Sequence, residues 1–227
     1  MRSSRLVTAL RYGVATALAL LFLLPFYVIV RNAFSTNQNI TAPRWNWLPD
    51  QLNLANLDSM LSSDSTGVLR GLLNSAIMTI LQTVGTVVIS LMAGYGLARF
   101  THRLSKVVLG LTVFTLMVPA ATTFVPMFII TAQFGWIDSF RGLVIPGMFS
   151  AFATYLFRQA FLDFPSELED AALMDGCNPF TAFWRIVVPN STGTVAAVGT
   201  IVLIGSWNAF LWPSLVGREA TRTVQVA

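Results

Sequence analysis

The chain has 227 residues, 55% of them hydrophobic and only 11% charged, with a mean hydropathy of +0.67 and a formal net charge of +4. A soluble domain carries about 25% charged residues, so this composition excludes a water-solvated surface. Nucleic acid is excluded as the partner of the basic excess, because Lys and Arg are scattered among loops rather than gathered in a stripe. A single cysteine, Cys177, excludes an internal disulfide and any Cys-based metal cluster.

Lipid is the solvent that suits such a chain, and in lipid the backbone must satisfy its hydrogen bonds internally. The apolar runs are long and lack the alternation of barrel strands. The expected fold is therefore all-α, a polytopic transmembrane helix bundle forming one domain over residues 1–227. Stretches that reach the roughly 20 residues needed to cross a bilayer are Val14–Val30, Leu72–Leu97, Val107–Ala132, Leu143–Phe161 and Thr194–Leu215.

Arg2, Arg5 and Arg11 precede the first stretch, as in a signal peptide. Cleavage after Ala33 would put Arg31 where a small residue is wanted, so an uncleaved span is the better reading. With the N-terminus inside, Arg2, Arg5, Arg11, Arg99, Arg103, Lys106, Arg158 and Arg185 are cytoplasmic, and Arg31, Arg44, Arg70, Arg141, Arg218 and Arg222 are external. The tight group Arg99, Arg103 and Lys106 carries most of that orientation. Trp45 and Trp47 in the first outer loop fit either an interfacial position or packing within the loop.

Gly85, Ser90, Ala93, Gly94 and Gly96 give the second span a surface of small residues that permits close helix approach. Pro119 and Pro126 are expected to bend or break the third span. No Asp or Glu lies mid-span, which argues against an ion-coupled carrier and against intramembrane acid–base chemistry. The polar exceptions Asn74, Gln82, Tyr155 and Asn208 read mainly as interhelical hydrogen-bond formers; Asn74, Tyr155 and Asn208 are also the candidates for lining a solute path. His102, the only histidine, has no partner set for metal or nucleophilic work, and no phosphate-binding loop is present. Catalytic and metal residues are therefore assigned as none. The polar end Gly217–Ala227 reads as a loop leading towards a further span.

The stretch from Asp163 to Asn190 separates the fourth and fifth spans and is expected on the cytoplasmic side. Ser166 with Glu169 reads as a capping box that starts a helix. Glu167, Glu169 and Asp170 suit the positive end of its dipole, and Ala171, Ala172, Leu173 and Met174 continue it. Gly176 is placed for the left-handed turn that ends it. Asn178-Pro179 starts a second helix, with Phe180, Phe183, Trp184 and Val187 at helical spacing and Pro189 ending or bending it. Two readings remain: a connector lying on lipid headgroups, or a helix seated in a protein cleft. The acidic first helix favours the cleft, because anionic lipid repels it.

This segment resembles the Glu-Ala-Ala loop of bacterial ABC importer permeases. Asp170-Ala171-Ala172 is followed by Gly176, and then by Ile186, Val188 and Pro189 at that pattern's spacing, with Asp170 in place of Glu and Val188 in place of Leu. The runs from Ala93 to Phe100 and from Trp207 to Pro213 resemble stretches of the second permease of maltose-type carbohydrate importers, with Ala209 where that family has Glu. The resemblance implies six spans, the last of them lacking from residues 1–227. It implies a second permease subunit, a cytoplasmic ABC ATPase dimer carrying ATP and Mg, and an extracytoplasmic sugar-binding protein; the permease itself binds no cofactor and performs no chemistry. It further implies a multi-pass place in the bacterial inner membrane. The loop 163–190 would then dock the ATPase through Glu169, Asp170, Ala171, Ala172, Leu173, Met174, Asp175, Gly176, Ile186 and Pro189. Rival readings are a secondary carrier or channel, and a membrane assembly subunit with no pathway.

Overall fold

Every regular element in the computed structural model, which describes residues 5–49, 51–62, 67–100 and 102–226, is helical. Arg2 and Ala227, named above, lie outside the described residues. The chain divides into two compact units, Met1–Thr66 and Gly67–Ala227.

The first unit holds α1 (Arg5–Ala33), α2 (Asn37–Ile40) and α3 (Ala55–Ser62). α1 has 29 residues and continues through Pro25. At ~1.5 Å per residue it outreaches the ~30 Å apolar core of a bilayer. Its end is tied into the loop that follows. The Arg31 guanidinium is buried, donates to Asn32 Oδ1 and Asn39 Oδ1 at 2.8 Å each, and lies 5.0 Å from the Trp45 ring centroid. Trp45 packs edge-on against Trp47 at 5.9 Å, and both keep most of their surface exposed. The two tryptophans pack on one another, as expected for packing within the loop, and keep apolar faces exposed.

The second unit is built on α4 (Val68–Arg99), 32 residues long and ~48 Å from end to end. The other predicted spans are interrupted. The stretch Val107–Ala132 is two helices, α5 (Arg103–Met117) and α6 (Ala120–Gln133), bent by 104° at Val118-Pro119. Pro119 removes a helical donor and holds Val118 extended, so the chain turns there, whereas Pro126 is absorbed inside α6. Leu143–Phe161 is α7 (Phe140–Val144), a 3₁₀ turn at Ile145–Met148 that contains Pro146, and α8 (Ala151–Leu162), bent by 42°. Ser150 caps α8 by accepting from the Ala153 amide. Next come α9 (Ser166–Met174), α10 (Pro179–Ala182), a π turn at Phe183–Val187 and α11 (Val188–Asn190). Thr194–Leu215 also fails as one span: α12 (Thr192–Trp207) stops at Asn208, and α13 (Leu211–Val216) follows. By length and composition α1 and α4 can each cross a membrane, and up to five spans result if each bent pair counts as one.

α8 and α12 pack on α4. The small residues of α4 make this contact. A Cβ at Gly94 would lie 2.7 Å from Phe157 Cβ and 2.9 Å from the Arg158 backbone nitrogen, and one at Gly85 would lie 1.8 Å from Met148 Cε. Ser90 and Thr86 donate to the carbonyls of Ser150 and Gly147 at 3.4 and 3.3 Å. Gln82 accepts from Ser206 of α12 at 2.8 Å. The interhelical role expected of Gln82 is thus seen directly.

The polar tail after α13 folds back on the start of α4. Asn74 Nδ2 donates to the carbonyls of Ala220 and Arg222 at 3.2 and 2.9 Å, and Ser75 Oγ accepts from the Val224 amide at 2.9 Å. Asp138, whose φ of 54° is left-handed, holds the same tail from the α6–α7 loop. Its carboxylate accepts from the amides of Arg218, Ala220 and Thr221 and from the Thr221 hydroxyl, at 2.9–3.2 Å. Burial alone would raise its pKa; these donors outweigh it and hold the carboxyl below the usual carboxylate range.

Two outcomes follow from this packing. Gly94→Ala is expected to lower the thermal midpoint of the detergent-solubilised protein, with an overpacking cost of roughly 1–3 kcal/mol, because backbone must move. Gly85→Ala should cost less, since the end of the flexible Met148 side chain yields. A depressed folded-state pKa means that Asp138 stabilises the tail above its unfolded value of about 3.9, and that this contribution is lost as pH falls through the folded value. Amide exchange at Arg218 and Thr221, corrected for intrinsic rate, should therefore show protection at pH 6 that disappears on acidification; in Asp138→Asn it should be weak at both pH values.

Candidate coupling interface

The loop after α8 is assembled by local rules at most positions. Gly176, at φ 85°, closes α9: its amide donates to Leu173 O, and the Cys177 amide donates to Ala172 O, both at 3.0 Å. That pair of bonds is a Schellman motif, which needs a left-handed residue. Asn178 Oδ1 accepts from the Thr181 amide at 2.8 Å and starts α10 with Pro179 in its first turn. Pro189 does not end the second helix. The ring of a proline collides with the carbonyl four residues back, and the π turn at Phe183–Val187 relaxes that position. The chain bends by 79° only at Ser191.

The start of α9 corrects the sequence reading. Pro165 is the N-cap, Ser166 is already helical, and no side chain caps the helix. The reason is that Glu169, which a capping box would turn back to the cap, is drawn inward. Tyr95 Oη donates to Glu169 Oε2 at 2.7 Å, and Arg99 Nε donates to Oε1 at 2.9 Å. Arg99 Nη2 also pairs with Glu169 Oε1 and donates to the Phe164 carbonyl at 3.2 Å. Charge-assisted bonds to a fork-shaped cation are stronger than a neutral cap bond, so the carboxylate goes to Arg99. The side chains of Arg99 and Glu169 are 21% and 10% exposed. Orphaning one member of a fully buried pair costs roughly 3–5 kcal/mol; at this exposure the cost is smaller.

Composition favoured the acidic residues as a set, and the structure divides them. Glu169 and Ala172 face the body of the unit and are buried. Asp170, Ala171, Leu173, Met174, Asp175 and Gly176 face outward, with Met174 88% exposed. Pro189 is exposed and Ile186 half-buried. Beneath the outward face, Phe183 and Val187 are buried against Phe157, Phe161 and Tyr95; Tyr95 lies 4.6 Å from Phe183 and 5.7 Å from Phe161 between ring centroids. Sequence reasoning missed Tyr95 and Arg99 as partners of the loop. Their spacing of four on the end of a long helix, hence on one face, was the available signal.

The polar span residues do not converge. The Asn74 amide is engaged by the tail. Asn208 is exposed and donates to Ile204 O of its own helix at 2.8 Å. Gln225, which meets Ser75, also donates to the Trp207 carbonyl, so Asn74 and Asn208 share one end of the unit. Half-buried Tyr155 lies on α8 beside Thr154, which touches Gly94, about 30 Å along α4 from Asn74. An apolar groove of about 1110 Å³ runs between α4, α5 and α8, with Leu97, Val108, Leu111 and Phe149 in its walls.

Long apolar helices, broken helices packed on a central strut and an outward helix-turn-helix at one end define a polytopic membrane permease. The chain belongs to the family of binding-protein-dependent transport system inner membrane components, whose family model matches residues 85–226. It is a permease subunit of an ABC importer and not itself an enzyme. It is 35% identical over 213 residues to the sn-glycerol-3-phosphate transport system permease protein UgpE of Yersinia pestis, covering 92% of this chain and 75% of that protein. The UgpE protein of Escherichia coli O1:K1 is 33% identical over 209 residues, with coverage of 90% and 74%. The fold matches a chain in the crystal structure of a bacterial ABC transporter involved in the import of the acidic polysaccharide alginate. The TM-score is 0.86 at 22% identity, over 100% of this chain and 81% of that one. Family membership places the chain in the inner membrane as a multi-pass protein, beside partner subunits of the importer.

Proposed function

We propose that this chain is the second of two permeases that together enclose the pathway of a carbohydrate importer, and that the loop 163–190 docks one subunit of a cytoplasmic ATPase dimer. The observation that carries this reading is the outward face of α9. It presents Leu173 and the almost fully exposed Met174 beside Asp170 and Asp175. An apolar tip flanked by carboxylates is disfavoured both in water and on anionic headgroups, and a protein cleft satisfies both parts. In this reading Asp170, Ala171, Leu173, Met174, Asp175 and Gly176 meet the ATPase, while Ile186 and Pro189 shape the second half of the loop and Glu169 and Ala172 hold it from behind.

The loop and the tail occupy opposite ends of α4, so one is cytoplasmic and the other external. Arg158 Nε donates to Leu97 O at 3.3 Å beside Arg99, which gathers cations at the loop end. The positive-inside rule then puts that end in the cytoplasm; applied separately to Arg2, Arg5 and Arg11, it puts the N-terminus there as well. ATP and Mg belong to the ATPase partner, and an extracytoplasmic binding protein delivers the solute to the tail side. Closure of the ATPase pair on ATP moves the docked loop and switches the pathway between its inward and outward states, a rigid-body change. The reading of a polyhydroxylated solute is supported by relatives concerned with sn-glycerol-3-phosphate, a polyol phosphate; a structural neighbour is concerned with the polysaccharide alginate. Tyr155 and Asn208 are the polar groups proposed to face the pathway; the Asn74 amide already serves the tail.

Gly176→Val and Met174→Asp test the docking. No heavy atom lies within 4 Å of a Cβ at Gly176, so the main cost of a branched residue there is left-handed strain, at least about 1–2 kcal/mol. Both variants should insert at wild-type levels yet copurify less ATPase from detergent and support less sugar uptake in reconstituted vesicles. Unchanged ATPase recovery and uptake in both variants would refute the docking role.

A further inference from the structure

Glu169 sits on the loop but points away from the face that meets the ATPase, and its carboxylate is held by side chains of another helix. Tyr95 and Arg99 supply three donors to that one carboxylate, and Arg99 also holds the Phe164 carbonyl just before α9. From these contacts we infer that Tyr95, Arg99 and Glu169 form the tie through which displacement of α9 is passed to the span α4. Arg99 and Glu169 are positioning residues for transport. The inference rests on the reading of loop 163–190 as the ATPase-docking element.

The geometry distinguishes this tie from ordinary packing. The aromatic contacts of Phe183 with Tyr95 and Phe161 are apolar and non-directional, so they allow the loop to slide. A forked guanidinium that holds a carboxylate and a backbone carbonyl fixes direction as well as distance. Glu169 and Ala172, three residues apart, form the inward face of α9, while Asp170, Leu173 and Met174 lie outward. A push on the outward face is therefore delivered to Arg99. α4 has no break between Val68 and Arg99, so movement at Arg99 carries to its far end, where Asn74 and Ser75 hold the tail. Loop and external tail are joined by one continuous helix with a polar clamp at each end.

The test uses the assembled importer, with both permeases, ATPase and binding protein, in lipid vesicles. Glu169→Gln, Arg99→Lys and Tyr95→Phe are compared with wild type for ATPase recovery, ATP hydrolysis and solute uptake per ATP. Glu169→Gln should retain the ATPase and hydrolyse ATP, but uptake per ATP should fall about tenfold, within the usual span of coupling between sites. Arg99→Lys, which keeps the charge and loses the fork, should show a smaller loss, and Tyr95→Phe the smallest. If the cluster only supports folding, hydrolysis and uptake will fall together with the amount of assembled complex while their ratio stays at the wild-type value; that result overturns the tie. Loss of ATPase recovery in Glu169→Gln, with the remaining complex normally coupled, would overturn it too, by placing Glu169 in the docking surface. Failure of the wild-type chain to recover any ATPase would instead refute the docking reading on which the tie depends.

Discussion

The approach of α4 to α8 at Gly94 is the contact on which the second unit is built. With no side chain at Gly94, the backbone of α8 comes within 3 Å of where a Cβ would sit. Lipid offers no hydrophobic drive between helices, so such close van der Waals contact is the main source of cohesion available. The cluster of Leu91, Phe157, Phe161, Phe183, Val187 and Val198 forms around this approach, and it reaches from the span into the loop. The loop is consequently an extension of the packed helices and not an appendage.

Polar chemistry is kept to the two ends of α4. At one end three donors close on Glu169; at the other Asn74, Ser75 and Asp138 close on the tail. Between them Ser90, Thr86 and Gln82 are satisfied across helix contacts, whereas the buried hydroxyls of Thr79 and Thr83 have no hydrogen-bond partner. This arrangement follows from solvation. A charge or an open backbone group is tolerated where water or protein donors reach it and is costly in hydrocarbon. At the interruptions the caps differ: Ser150 caps α8 with its side chain, whereas α6 after Pro119 and α12 after Ser191 start without a side-chain cap.

For a transporter, the consequence is an unequal loop. Its outward face is made of short and flexible side chains, Ala171, Leu173 and Met174, suited to a partner surface. Its inward face is pinned by one ion pair and rests on a set of rings. Met174 and Glu169 are close in sequence and opposite in role, because successive helical residues turn by about 100°.

Much of this was legible from residues alone. Solvent class, helical architecture, the left-handed Gly176, the Asn178-Pro179 start and the kink at Pro119 all follow from composition or from chemistry within a few residues. Those features depend on short-range sterics and hydrogen bonds, which local sequence specifies. The tertiary structure decided the rest. It split two expected spans into bent pairs, stopped a third at Asn208, folded the tail onto Asn74, moved the cap of α9 to Pro165 and turned Glu169 towards Arg99. Each of these depends on a partner distant in the chain: Glu169 is 70 residues from Arg99, and Asn74 is 148 from Arg222. At Ser166 the local signal for a capping box was sound, but a carboxylate makes one best set of bonds. A guanidinium brought near by helix packing is a stronger partner than a backbone amide, and only the folded chain brings it within reach.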